Sequence, residues 1–561
     1  MPVSSEPNGA SDGRTRVVDY IVEFLARRGI RHLFGVDGAN IEDLYDAAYL
    51  RPDVTAVVAK HEFSAAAMAD AYSRAGTGIG VVAATSGGGA LNTIPGLGES
   101  YASRVPVLAL IGQPPTTTDG RGSFQDTSGR AGALDGDALF SAVSVFYRRV
   151  LTPADIVTAL PRALSAATTI GGPAVLLLPK DIQQALLEAP ADEVVEGSPP
   201  RVGNVAALVQ LLRSVDGPVT IIAGDQVARD DARAELESLR AALQARVATV
   251  PDAKDVVTAP EALGVTGLMG HPAVGAALAE SAVCLLVGTR LPLMARGGLA
   301  ETLASLPIAS IGSAPPYLPG THVDSGDLRA SLTLLTAALA EGNPTQPEPI
   351  AEPLTRGELT PPPHAGPGVR YRDAMLTLDA VLPQDTDIAV DAGNIGAAAI
   401  HWLPARRDGR FLVALGMGGM GYSFGAGIGM AFARGRRTVV IAGDGAFFMH
   451  GMEIHTALHY RLPVTFVLFD NHAHAMCVTR EQLFFRDRYS YNRFGPSRLG
   501  AGLAAMFPTL PSIDVTDIGE LGVAIKAALD AEGPSVVAVE CSADEIPPFT
   551  AFLEESTQRE H

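Results

Sequence analysis

Residues 438–476 read TVVIAGDGAFFMHGMEIHTALHYRLPVTFVLFDNHAHAM. An apolar run ends in Gly443, Asp444 and Gly445, a helical segment follows, and a second apolar run ends in Asp470 and Asn471, 27 residues after Asp444. Two short runs of this kind, joined by one helix, are expected as parallel neighbours in a buried sheet. Their carboxyl ends then lie side by side, and the Asp444 carboxylate converges with the Asn471 amide oxygen. Hard oxygen ligands suit Mg²⁺ or Ca²⁺, and so sparse a set completes its shell with water or phosphate oxygens. Gly443 and Gly445 let a diphosphate approach the backbone, and the start of the next helix, through Ala446, favours its negative charge. Gly-Asp-Gly alone is a common turn. The second strand, its Asn and the spacing carry the metal–diphosphate reading.

The same strand–helix alternation runs outward through the chain. Towards the N-terminus lie the apolar runs 31–36, 54–59, 78–85, 105–112 and 173–179, then 218–224, 282–288 and 307–312. The last block adds 386–393 and 534–541 around the opening pair. Val17, Val18, Ile21, Phe24 and Leu25 share one helical face, and a helix is expected to begin near Glu62. Pro-rich stretches at 188–201 and 342–368 read as linkers, because Pro at that density does not sit inside helices or sheets. The prediction is three α/β domains, each with a mainly parallel sheet flanked by helices: residues 14–187, 202–341 and 369–550, with 342–368 as linker. In such sheets ligands bind at the carboxyl ends of strands.

Composition narrows the class. Of 561 residues, 47% are hydrophobic and 18% charged, which is globular and not disordered. Lys plus Arg (42) against Asp plus Glu (61) leaves a net charge of −19, which repels nucleic acid and anionic lipid. The three cysteines, Cys284, Cys477 and Cys541, have no CxxC spacing, which argues against a disulfide framework or structural zinc. Residues 1–16 lack an apolar core and read as a disordered lead-in, not a signal peptide. Residues 411–433 carry no charge and are long enough to cross a bilayer. Seven of them are glycines, so a buried turn followed by a buried helix is expected instead. No membrane or nucleic-acid partner and a cytoplasmic location are the expectations.

The GDG run followed by Asn resembles the signature of the thiamine-diphosphate (ThDP) enzymes, with the acetohydroxyacid (acetolactate) synthase branch most similar over residues 15–548. The resemblance implies a pyrimidine-binding domain, a central domain and a diphosphate-binding domain. It implies metal ligands at Asp444, Asn471 and the backbone carbonyl of Ala473, with Mg²⁺ as the ion. Glu62, in KHEFSAAAMADAYSR, matches the family's cofactor-activating acid. A carboxyl among Ala side chains is desolvated and can share a proton with a ring nitrogen. In ALGMGGMGYSFGAG, Gly418 matches the carbonyl that receives the cofactor's amino group, and Met420 matches the residue that bends the cofactor. Ala392, Gly393 and Asn394 match the loop over the diphosphate. Val36, Asp37 and Gly38 match a loop that commonly reads FGxPG, and Gly88 stands where TSGPG has Pro. Gln113, Phe124 and Gln125 match the lining of the substrate channel.

The resemblance further implies decarboxylation of a 2-oxoacid such as pyruvate, followed by carboligation of the enamine onto a second carbonyl to give an acetohydroxyacid or acyloin. A non-ligating decarboxylase that releases an aldehyde, and a non-catalytic paralogue of the fold, remain open. Arg480 and Glu481 stand where the synthases carry the Trp of their acceptor pocket, so a different acceptor is expected. Gly288, Thr289, Arg290 and Arg296 only partly match the family's flavin-binding run, which leaves FAD open. The family builds each site from two subunits, so a homodimer or dimer of dimers is implied.

Overall fold

The computed structural model describes residues 14–76, 78–188, 200–341 and 354–560, without the side chains of 557–560. The lead-in up to residue 13 and the linker segments 189–199 and 342–353 lie outside the described residues. The chain forms two compact units, Met1–Asp70 with Gly78–Pro199, and Ala71–Thr77 with Pro200–His561.

The first unit is built on six parallel strands in the spatial order Thr55–Val58, His32–Val36, Gly80–Ala84, Val107–Gln113, Pro173–Pro179 and Phe146–Arg149. Central strands are buried throughout because helices cover both faces. The helix Val17–Arg27 buries the predicted face of Val17, Val18, Ile21, Phe24 and Leu25. The 54–59 run, expected to be buried, is the edge strand Thr55–Val58, with Thr55 and Val58 exposed. An edge strand has a neighbour on one side only, so its alternate residues reach solvent. A short antiparallel ribbon, Arg14–Arg16 with Leu186–Glu188, ties the two ends of this unit together.

The second unit holds two sheets. The central one runs Arg246–Thr249, Val219–Ala223, Val283–Val287, Ile308–Gly312 and Thr321–Asp324, all parallel. The other runs Phe411–Val413, Asp387–Val390, Thr438–Gly443, Val464–Asp470, Ser535–Glu540 and Ser512–Val515, also all parallel. Numbered within each sheet, its strand order 2-1-3-4-6-5 is that of the first unit. The reversal between strands 1 and 3 opens a crevice at their carboxyl ends.

The helix expected between Asp444 and Asp470 is broken into Asp444–His450, a 3₁₀ turn Gly451–Glu453, and Ile454–His459. At Gly451 a Cβ would lie 2.2 Å from the Phe447 ring, so the chain turns where that ring packs on bare backbone. The uncharged 411–433 stretch forms the strand Phe411–Val413, a glycine turn and the helix Tyr422–Arg434. The helix is buried as expected, but the turn is open at residues 416–418, where Met417 is 62% exposed. No helix among the described residues is long and apolar enough to cross a membrane.

Ion pairs and a buried lysine explain why the central and final sheets form one unit. Arg410, beside the last sheet, bonds Asp225 at 2.9 Å and Asp255 at 2.8 Å. Lys254 donates to the carbonyls of Ala399 (3.1 Å), Ile400 and Leu403 at the end of the helix Asn394–Trp402. The same helix end carries His401, stacked on His271 with ring centres 4.5 Å apart. Burial, with Lys254 nearby, pushes His401 down to about 4 and His271 to about 2. Both are therefore neutral when folded, whereas the unfolded chain begins to protonate them near pH 6.5. Their contribution to stability is full above that pH and falls as pH drops towards 4, at about 1.4 kcal/mol per unit for each ring. His271→Phe, which keeps a ring in the stack, is expected to flatten the fall of Tm between pH 6.5 and 4.5; an unchanged slope would refute the assignment.

Candidate active site

Three neighbouring strands of the last sheet end in candidate residues: Asp387–Val390 leads to Ala392, Gly393 and Asn394, Thr438–Gly443 to Asp444, and Val464–Asp470 to Asn471. Asp444 is fully buried. Its Oδ2 accepts the Ala473 N–H at 3.1 Å, and the Asn471 Oδ1 accepts the same N–H at 3.1 Å. The three predicted ligand residues are thus gathered around one peptide group. Asp444 Oδ1 is buried without a hydrogen-bond partner. Burial first, and the charge of Asp470 next, push the Asp444 carboxyl up to about 7. Two carboxylates lie together here with no Lys or Arg among the described residues paired to either, while Ser497 and His472 hold Asp470. Ligand atoms of Asp444, Asp470 and His472 lie within 4.8 Å of one another. An orphaned carboxylate oxygen in a negative, amide-lined hollow fits a hard divalent cation. Asp470 and His472 were not singled out in the sequence, where they read as a strand end and its turn.

Around this hollow the backbone is open to an anion. Gly393 has φ +108° and nothing near the position of a Cβ, at the start of the helix Asn394–Trp402. Asn394 Nδ2 donates to the Thr479 hydroxyl at 3.1 Å, which fixes the first turn of that helix. A Cβ on Gly445 would lie 2.5 Å from His474 Nδ1 and 3.3 Å from Met420 Cε. Met420 therefore reaches the GDG turn, and glycine is required there by close approach. Gly418, at φ +65°, lies on the open turn before it.

Asp391, absent from the sequence-based candidates, joins these two segments. Its buried carboxylate accepts N–H groups from Ala392 (3.0 Å), Gly421 (2.9 Å) and Ser423 (2.9 Å). It thus holds the Ala392–Asn394 loop and the glycine turn in register, and caps the helix Tyr422–Arg434 from outside. A strand-end Asp carries no distinctive signal in sequence, because its partners lie some 30 residues away. Asp391→Asn places an amide N–H against these donors and is expected to weaken ThDP binding about 10- to 100-fold, the effect of one lost charged hydrogen bond. Isothermal titration checks this; unchanged affinity would remove Asp391 from the site.

The first unit gathers its own candidates at the carboxyl ends of three neighbouring strands. Val36, Asp37 and Gly38 follow the first, Ser86 and Gly87 the second, and Gln113 closes the third. Glu62 opens the helix Glu62–Arg74 with 9% exposure. Its Oε2 accepts from Asn92 Nδ2 at 3.0 Å, and its Oε1 lies 3.0 Å from where a Cβ on Gly89 would be. Asn40 Nδ2 donates to the Ser86 hydroxyl at 2.7 Å, and that hydroxyl donates to Gln125 Oε1 at 3.1 Å. Asn92 and Asn40 were missed in the sequence; each acts through a long-range bond. Asp37 binds the Gly38 N–H at 2.7 Å, and burial raises its carboxyl. Gln113 is wholly buried and accepts from Thr127, whereas Phe124 is 78% exposed.

Arg480 and Glu481, read together from the sequence, part company on the helix Ala475–Phe485. Arg480 is exposed with a guanidinium nitrogen 4.0 Å from Cys477 Sγ, while Glu481 is buried and accepts from Asn492. In the central sheet Arg290 bonds Pro315 O and covers the Tyr317 ring, and Arg296 bonds Tyr317 O. Gln226 packs beside Gly288 and Gly312 and is bonded to Ser325 O and the Ser313 N–H.

Comparison with known proteins agrees with this geometry. Models of the N-terminal TPP binding domain, the central domain and the C-terminal TPP binding domain of thiamine pyrophosphate enzymes match residues 15–132, 205–325 and 391–539. The chain belongs to the thiamine pyrophosphate enzymes. Its curated relatives place it in the acetolactate synthase-like branch as a ThDP-dependent enzyme. The acetolactate synthase isozyme 2 large subunit of Escherichia coli K12 is 28% identical over 541 residues, covering 94% of this chain and 95% of that one. The sulfoacetaldehyde acetyltransferase of Castellaniella defragrans is 26% identical over 578 residues, covering 94% and 93%. An X-ray structure from Mycobacterium smegmatis, provisionally named a thiamin diphosphate-dependent enzyme, has a TM-score of 0.78 over 94% of this chain and all of that one. At 21% identity that likeness speaks for the fold alone.

Proposed function

We propose that this enzyme decarboxylates a 2-oxoacid, pyruvate first among them, and transfers the resulting two-carbon unit to a second carbonyl, yielding an acetohydroxyacid or acyloin. ThDP, when bound, supplies the electron sink for the decarboxylation. Asp444, Asn471 and the Ala473 carbonyl would hold Mg²⁺, and Ala392, Gly393, Asn394, Gly443, Gly445 and Ala446 the diphosphate. Glu62, kept in place by Asn92, would hold and return the proton exchanged with the cofactor's pyrimidine. Val36, Asp37, Gly38, Gln113, Phe124, Gln125, Arg480 and Glu481 are proposed to border the substrates. Residues 14–187, 202–341 and 369–550 are the proposed domains of a cytoplasmic homo-oligomer whose sites form between subunits.

The observation that carries this reading is the buried, unpartnered Asp444 oxygen beside Asn471 and Ala473. Arg290 and Arg296 are engaged with residues 315–317, and Gln226 fills the strand ends of the central sheet. The acceptor is expected to differ from that of the synthases, since Arg480 offers charge where a flat apolar wall is needed. Incubation with pyruvate, ThDP, Mg²⁺ and a panel of aldehydes and 2-oxoacids, followed by product identification, tests this. Release of free aldehyde with every acceptor would favour the non-ligating decarboxylase, and no CO₂ from any short 2-oxoacid would refute the proposal.

A further inference from the structure

We propose that a cavity of about 50 Å³ in the second unit, walled by Lys254, His271 and Arg356, binds a small oxyanion, either a short carboxylate or inorganic phosphate. The cavity lies at the far end of the helix Asn394–Trp402 from the candidate metal hollow, where Pro404 and Ala405 form part of its wall. A water occupies about 10–15 Å³ by the same measure, so this space holds three or four waters or one carboxylate-sized anion.

Its side chains offer donors and no acid. His271 is 6% exposed, and its Nδ1 accepts the Val265 N–H at 3.2 Å, which leaves the neutral ring's proton on Nε2. That Nε2–H has no hydrogen-bond partner among the described residues, and the hydroxyls of Thr249 and Thr258 in the wall have none either. Arg356 spends Nε and Nη2 on one carbonyl, Ala262 O, at 3.3 and 3.2 Å, and Nη1 has no partner among the described residues. Lys254 gives its protons to the three helix-end carbonyls and contributes its charge.

Among the described residues no Asp or Glu lines the cavity, and the described acids Glu358 and Asp379 are engaged with Arg372 and Arg406. Burial lowers the proton affinity of Lys254, His271 and Arg356, and neighbouring cations lower that of Lys254 and His271 further. Water filling such a space would turn its oxygens to the donors and find few acceptors for its hydrogens, whereas an oxyanion satisfies the donors and relieves the charge.

The experiment uses the full chain saturated with ThDP and Mg²⁺, so that phosphate cannot enter the diphosphate site. Acetate or inorganic phosphate is titrated at constant ionic strength. Tm and the emission of Trp402, the only tryptophan, are followed; it is the last residue of that helix, immediately before the cavity wall. The expected result is a saturable Tm rise of about 2–4 °C and an emission change with the same half-point. Arg356→Met should weaken the response at least about tenfold and Arg356→Lys much less, since the lysine keeps the charge. The anion with the lower half-point identifies the source. A rise that never saturates and is equal in Arg356→Met, as surface exclusion of phosphate produces, overturns the proposal, as does no response to either anion. The same titration of ThDP-free protein with acetate gives the expected result whether or not the cofactor reading holds.

Discussion

Glu62→Gln is expected to lower turnover by about 10²- to 10⁴-fold, the range that a positioned acid–base group supplies, while ThDP affinity stays within a few-fold. The substitution keeps the shape of a buried side chain that Asn92 grips at 3.0 Å and that Gly89 accommodates by close approach. It removes only the ability to hold and release a proton. Steady-state rates with pyruvate and titration of ThDP separate the two effects, and full activity in the variant would remove Glu62 from the mechanism. A complementary result follows if sites form between subunits. Glu62→Gln and Asp444→Asn, each inactive alone, should regain about a quarter of wild-type activity when unfolded and refolded together as a dimer, because half of the mixed dimers' sites are intact. No recovery would place both residues in one subunit's site.

Asp444→Asn should act in opposite directions on the two forms of the protein. With ThDP and Mg²⁺, binding should fall by at least about 100-fold, since even outer partners of metal ligands are worth 10- to 100-fold. Without cofactor, Tm should rise by a few degrees. The wild-type carboxylate is fully buried, one of its oxygens has no partner, and Asp470 adds a second negative charge beside it. Relieving an unsatisfied buried charge is worth about 1–3 kcal/mol, at about 1–2 °C per kcal/mol for a unit of this size. Calorimetry in the presence and absence of cofactor measures both signs. A variant destabilised in both forms would mean that Asp444 is an ordinary structural residue.

The long apolar runs were legible as strands because a parallel strand covered on both faces must be apolar along its whole length. The edge strands Thr321–Asp324 and Ser512–Val515 were not, because partial exposure erases that signal, and Phe411–Val413, though buried, is too short to stand out from the uncharged stretch around it. The break at Gly451 was equally hidden, since it depends on where the Phe447 ring packs.

Within the site, sequence alone determined that Asp444 and Asn471 would meet: a strand, one connection and a second strand leave parallel neighbours no other arrangement of their ends. It likewise placed Glu62 at the head of a helix with apolar surroundings. Tertiary structure alone decided what holds them. Asp391 reaches Gly421 and Ser423, Asn92 reaches Glu62, and Lys254 closes the helix that begins at Asn394. Each of these contacts joins residues about 30 to 145 positions apart. The polar groups that form them look ordinary along the chain; burial makes each bond necessary, and burial is a property of the packed molecule.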